Sequence, residues 1–207
     1  MFRKKRKAAV EILSVHIPKC AGTSFTAILQ SQYGPSLFLD YQGNGEQRVP
    51  ETARVIHGHF PMAKYSGVYP DAFKMTWLRH PVERIISYYY YWKASPPHGN
   101  PWHDEFIRLQ PSLLEFADYE AMKTEISRGY FGNFDWRKLD FVGLVENFDA
   151  DIARLSRMLG WSEIPAVVHS NTGTSKMDVS RGTRLELELT LSDEMQIYCY
   201  WKDRSAS

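Results

Sequence analysis

Two cysteines in 207 residues are too few for a disulfide framework, and one of them, Cys20, falls inside the main motif described below. A fold stapled by bridges is excluded, and a reducing, cytoplasmic setting is the simpler expectation. Long apolar runs are also missing. After the basic start MFRKKRK the apolar stretch is interrupted by Glu11, Ser14 and His16, too short and too polar for a signal or anchor, so no transmembrane segment is expected. Charge of one sign is lacking as well. A formal net charge of +1 leaves no global field to hold nucleic acid or a highly acidic polymer, so anion recognition has to be local. No repeat, low-complexity tract or Gly/Ser linker divides the chain. A hydrophobic content of 43% over this length fits one globular domain with its own core. Residues 1–9 read as a solvated basic tail and 10–207 as the domain.

What is present alternates. VEILSVHI (10–17) is an apolar run rich in branched residues, the signature of a buried parallel strand. A small-residue loop follows, and from Thr23 a helical stripe of Phe25, Ile28, Leu29 and Tyr33 runs to Gly34-Pro35. The same strand-loop-helix unit recurs at FKMTWLR (73–79), where Pro81 opens a helix with Val82, Ile85, Ile86 and Tyr89 on its stripe. It recurs again at Phe141–Val145, followed by Phe148, Ile152, Leu155 and Leu159 before Gly160. ARVIHGHF (53–60) is a further strand. Repeated units of this kind predict an α/β domain with a mainly parallel sheet flanked by helices. Residues 93–140, rich in aromatics, Pro and Gly, read as an insertion facing a substrate. In the tail, Leu185, Leu187, Leu189 and Leu191 alternate like a strand, and SDEMQIYCYWKD reads as a closing helix.

Three groups of residues carry chemistry. HIPKCAGTS (16–24) lies between a strand and a helix and supplies what a phosphate site requires: small residues, amides converging at a helix N-terminus, and one cation. Lys19, Cys20, Ala21, Gly22, Thr23 and Ser24 form this loop. Lys19 precedes the glycine, so GxxxxGK[ST] is absent, which argues against nucleotide hydrolysis of the usual type. LRHPVERIISYYYY (78–91) places Arg79 at the C-terminal end of a strand, where open α/β sheets bind ligands. Ser87 stands about 100° off the apolar stripe of the next helix, able to share an anion with Arg79, with Arg84 one turn earlier on the same flank.

The third group is HGH. Residues two apart on a strand face the same way, so His57 and His59 project together with Gly58 leaving room beside them. The pair suits a general base, a metal site or two structural histidines. No CxxC, HExxH or acidic cluster supplies further metal ligands, and no metal is expected.

Together these motifs resemble those of the carbohydrate sulfotransferases. HIPKCAGTS resembles their 5′-phosphosulfate loop, and LRHPVERIISYYYY their 3′-phosphate motif. VIHGHF is similar to the HGH of the heparan sulfate and uronyl 2-O-sulfotransferases, where histidine is the base. The resemblance extends over residues 10–160. It implies a P-loop-like fold and the donor 3′-phosphoadenosine 5′-phosphosulfate (PAPS), with a carbohydrate or glycoconjugate acceptor. Lys19 through Ser24 would bind the phosphosulfate end, Arg79 and Ser87 the 3′-phosphate, and His59, with His57 beside it, would face the acceptor hydroxyl. Asn171 and Lys176 in NTGTSK would belong to a loop over the donor. A nucleotide or sugar kinase, a non-catalytic glycan- or nucleotide-binding module, and a metal-dependent hydrolase built on His57 and His59 remain as alternatives.

Overall fold

A computed structural model describes residues 10–41, 48–97, 99–163, 165 and 178–205. The basic tail and the candidate positions Asn171 and Lys176 lie outside the described residues. In chain order the elements are β1 (Ile12–Val15), α1 (Gly22–Tyr33), β2 (Leu37–Asp40), β3 (Val55–Gly58), α2 (Ala63–Ser66) and β4 (Phe73–Leu78). There follow α3 (Pro81–Ala94), α4 (Pro101–Leu109), α5 (Leu113–Asp118), α6 (Glu120–Lys123) and a π-helical turn, Glu125–Tyr130. The chain continues through β5 (Phe141–Leu144), α7 (Phe148–Leu159), α8 (Arg181–Thr190) and α9 (Ser192–Ser205). Among the described residues no helix is long and apolar enough to cross a membrane.

The described residues fall into two compact units. The first takes the described residues of 10–78 and 130–165 and holds a five-stranded parallel sheet in the order β2-β3-β1-β4-β5. Strands β1, β3 and β5 are buried at every residue, including the polar Ser14 and His57. Strand β2 escaped the sequence reading because it is a short edge strand, largely half-exposed, with no buried run to announce it. On one face of the sheet Trp77 of β4 packs against Phe25 of α1 at 5.4 Å and Phe148 of α7 at 4.4 Å between ring centroids. Gly143, in register with Trp77, makes room for it: a Cβ there would lie 2.4 Å from the indole. The chain order leaves β1 toward β2 and β3 on one side and toward β4 and β5 on the other, so the loop after β1 issues at the switch point of the sheet.

The second unit takes residues 79–129 and 171–207 and is helical where described. Its core is Val82, Ile85, Tyr89 and Trp92 of α3, Phe106 of α4, Phe116 of α5 and Leu187 of α8. Asn100 caps α4 by accepting from the amides of Trp102 and His103, and Ser112 and Glu115 close a capping box on α5. Of the leucines read as a strand, Leu185, Leu187 and Leu189 lie on α8 and Leu191 is its C-cap. Leu187 and Leu191 are both 0% exposed, whereas Leu185 and Leu189 are 53% and 79% exposed. Residues four apart share a helix face, so leucines at every second position satisfy a strand pattern and two helix faces at once.

Candidate functional site

The loop after β1 is shaped by the strand end and the helix start. The amide of His16 still donates to Gly58 of β3 at 2.7 Å, and the amide of Cys20 then turns back to Ile17 at 3.2 Å. Lys19 and Ala21 have φ of 67° and 57°, in the left-handed region, on either side of Cys20. Alternation of hand along successive residues turns their amides toward one side, the geometry of an anion-binding nest. Ala21 caps α1, with a helical bond from the Phe25 amide to Ala21 at 3.0 Å, so Gly22, Thr23 and Ser24 form the first turn of the helix, whose amides face its N-terminus. Cys20 differs from its neighbours. Its thiol is buried and its amide closes the turn, so it fills space beneath the loop.

Gly22 meets a demand that its sequence pattern did not suggest. A Cβ at this position would lie 1.5 Å from Nε2 of His16, so the imidazole of His16 occupies the space that any side chain would need. The same ring stacks on His59 at 4.4 Å and on His57 at 5.4 Å between centroids. Both histidines of HGH therefore lie against one ring, as same-face projection requires.

Their environments separate their roles. His57 is 1% exposed, and both ring nitrogens meet hydroxyls: Nδ1 lies 2.9 Å from Ser14 Oγ, its partner in strand register, and Nε2 lies 3.0 Å from Thr26 Oγ1 on α1. Burial pushes its pKa down to about 3, so it stays neutral. Both of its ring nitrogens are thus engaged by hydroxyls. His59, just beyond β3, is half-buried. Its Nδ1 donates to the carbonyl of His16 at 2.7 Å, with Tyr130 Oη 3.3 Å away. A carbonyl can only accept, so the proton sits on Nδ1 and the lone pair on Nε2. Gly58 between them is fixed by its neighbour: a Cβ would lie 1.9 Å from the carbonyl oxygen of Asp40, which also accepts from the amide of His59 at 2.8 Å. Asp40 is itself fully buried and accepts from Lys64 at 2.7 Å and Tyr65 at 2.8 Å.

His16, Thr26 and Tyr41 were missed in the sequence. Burial, then the two neighbouring imidazoles, lowers the pKa of His16 to about 2. A signal existed: β1 and β3 are adjacent, so Ser14 and His16 fall on the same face as His57 and His59. In the second unit, Arg79 directly follows the last residue of β4 and is half-buried, and Ser87 on α3 is buried at 7% exposure. Arg84, expected one turn before Ser87 on the same flank, has its side chain in the interior. It is fully buried and pairs with Glu125 at 2.5 Å.

A crystal structure of a sulfotransferase from Alicyclobacillus acidocaldarius matches with 17% identity and a TM-score of 0.49, covering 91% of this chain and 94% of that one. A mouse sulfotransferase complexed with PAP matches with 12% identity and a TM-score of 0.41, covering 90% of this chain and 65% of that one. No curated protein matches in sequence. Residues 5–200 match the model of the sulfotransferase family, and the chain belongs to that family.

Proposed function

We propose that this protein transfers a sulfuryl group from PAPS to a hydroxyl of a carbohydrate or glycoconjugate, with His59 as general base. The observation that carries the reading is the position of the His16 ring, in contact with Gly22 of the loop on one side and stacked on His59 at 4.4 Å on the other. A base and an anion-binding turn one imidazole apart suit a reaction in which a proton leaves one oxygen while charge builds on another.

In this reading Lys19 and the amides at the start of α1 hold the phosphosulfate end, within the stretch Lys19 to Ser24. Arg79 and Ser87 bind the 3′-phosphate, as their motif implies. The acceptor oxygen bonds to sulfur as the bond from sulfur to the bridging phosphate oxygen breaks. The acceptor proton passes to Nε2 of His59, and the charge left on the 5′-phosphate is met by Lys19 and the loop amides. His57, held between Ser14 and Thr26, positions the neighbouring ring. The transferred group carries a single negative charge, and we assign no metal. Residues 93–140 form the acceptor side of the domain.

The test is His59→Ala. It should keep affinity for adenosine 3′,5′-bisphosphate, while turnover falls by about 10² to 10⁴. A fully active variant places the base elsewhere.

A further inference from the structure

The imidazole of His16 has no part in the mechanism above, yet its hydrogen bonding is unusual. Its Nδ1 lies 3.0 Å from Tyr41 Oη, which lies 3.1 Å from Thr26 Oγ1. Thr26 Oγ1 lies 3.0 Å from His57 Nε2, and His57 Nδ1 lies 2.9 Å from Ser14 Oγ. Two imidazoles are thus joined by two hydroxyls, with a third hydroxyl at the buried end. The remaining nitrogen of His16, Nε2, is the ring atom nearest to where a side chain on Gly22 would begin.

Each hydroxyl has one proton to give. Thr26 stands between two partners and so donates to one and accepts from the other. Two complete arrangements follow. In the first, Ser14 donates to His57 Nδ1, His57 donates from Nε2 to Thr26, Thr26 to Tyr41, and Tyr41 to Nδ1 of His16. The single proton of the His16 ring is then on Nε2, against the loop. In the second every bond is reversed, both rings carry their proton on Nδ1, and His16 turns a lone pair toward Gly22. Either way the two rings share one tautomer. Burial keeps both neutral, with pKa values of about 2 and 3, so each carries one proton at ordinary pH.

An anion at the loop distinguishes the two arrangements, because a lone pair repels it and an N–H attracts it. We propose that His16 is a further binding residue of this loop, donating from Nε2 to the phosphosulfate end, and that the Ser14–His57–Thr26–Tyr41 chain keeps it a donor. The identity of the anion rests on the donor reading above; the shared tautomer does not.

Imidazole nitrogen shifts from long-range proton–nitrogen NMR on the full, labelled chain report the tautomer of each ring. With adenosine 3′,5′-bisphosphate bound, His16 and His57 should both carry the proton on Nε2. Thr26→Val cuts the chain in its middle and should lower bisphosphate affinity about tenfold by calorimetry, the worth of one hydrogen bond, while Thr26→Ser restores it. Opposite tautomers in the ligand-free wild type overturn the inference, as does an Nδ1 proton on His16 in the complex or a Thr26→Ser variant as weak as valine. A folded wild type that binds no bisphosphate overturns the donor reading and with it the binding role of His16. The shared tautomer is decided separately, in the ligand-free spectrum.

Discussion

In the sheet-bearing unit burial keeps two imidazoles neutral, whereas in the helical unit a buried arginine is held beside a glutamate. His57 lies between Ser14 and Thr26 and loses its affinity for a proton. Arg84 of α3 is equally buried but retains its charge beside Glu125 and, further off, Glu194 of α9. Glu194 Oε1 accepts from the amides of Ile126 and Ser127 in the π-helical turn and from the Ser127 hydroxyl, each at 3.1 Å. Its other oxygen is buried with no hydrogen-bond partner among the described residues, and burial raises its pKa to about 7 in spite of Arg84. On the proposed reading, neutral rings suit the place where an anion and a proton are received. The buried charges of the helical unit instead link α3, α9 and the π-helical turn, a structural use.

The largest effect that sharpens this contrast is on turnover, where His59→Ala costs about 10² to 10⁴ without loss of donor affinity. A steady-state assay beside calorimetry checks it. Next is Gly58→Ala, which drives a methyl group to 1.9 Å from the Asp40 carbonyl and should cost about 3 kcal/mol of stability by denaturant titration. Retained stability would show that the β2–β3 edge yields. Glu194→Gln, which imitates the protonated acid, should stabilise the protein at pH 8 by about 1–3 kcal/mol. Destabilisation there would mean that the carboxylate is needed as a charge. Lys19→Ala should weaken adenosine 3′,5′-bisphosphate by about one to two decades, roughly 1.5–3 kcal/mol for a charge-assisted contact. Arg79→Ala should weaken the same ligand far more than 5′-AMP, whereas equal losses would remove Arg79 from the 3′-phosphate.

The two units should also respond to pH with opposite sign. His16 and His57 have folded pKa values far below 6.5, so the unfolded chain binds more protons as pH falls below 6.5. Stability is therefore lost on acidification, by about 1.4 kcal/mol per pH unit for each ring, until about pH 3 for His57 and pH 2 for His16. Glu194 has a folded pKa near 7, so the folded chain holds the extra proton and stability is lost as pH rises from 4.5 through 7. His57→Asn should flatten the acid limb and Glu194→Gln the limb between pH 4.5 and 7.

The same contrast explains what the sequence disclosed. The parallel sheet was legible because β1, β4 and β5 each lead through a loop into an amphipathic helix, and the Lys19–Ser24 loop stood out through its small residues. The partners of His57 were not, because Ser14 and Thr26 are distant in sequence and join it only through the β1–β3 register and the docking of α1. The pairing of Arg84 was not legible because its partner, Glu125, lies in a π-helical turn that no periodicity announces. Leucines on α8 misled for a different reason, the coincidence of a two-residue pattern with a four-residue one.

The central claim is sulfuryl transfer with His59 as base, and labelled PAPS with a carbohydrate acceptor library tests it most directly. The account predicts labelled product from wild type in EDTA, a rate that falls as pH drops through the imidazole range, and almost none from His59→Ala. Transfer that needs a divalent metal, or that persists undiminished in His59→Ala, would contradict it.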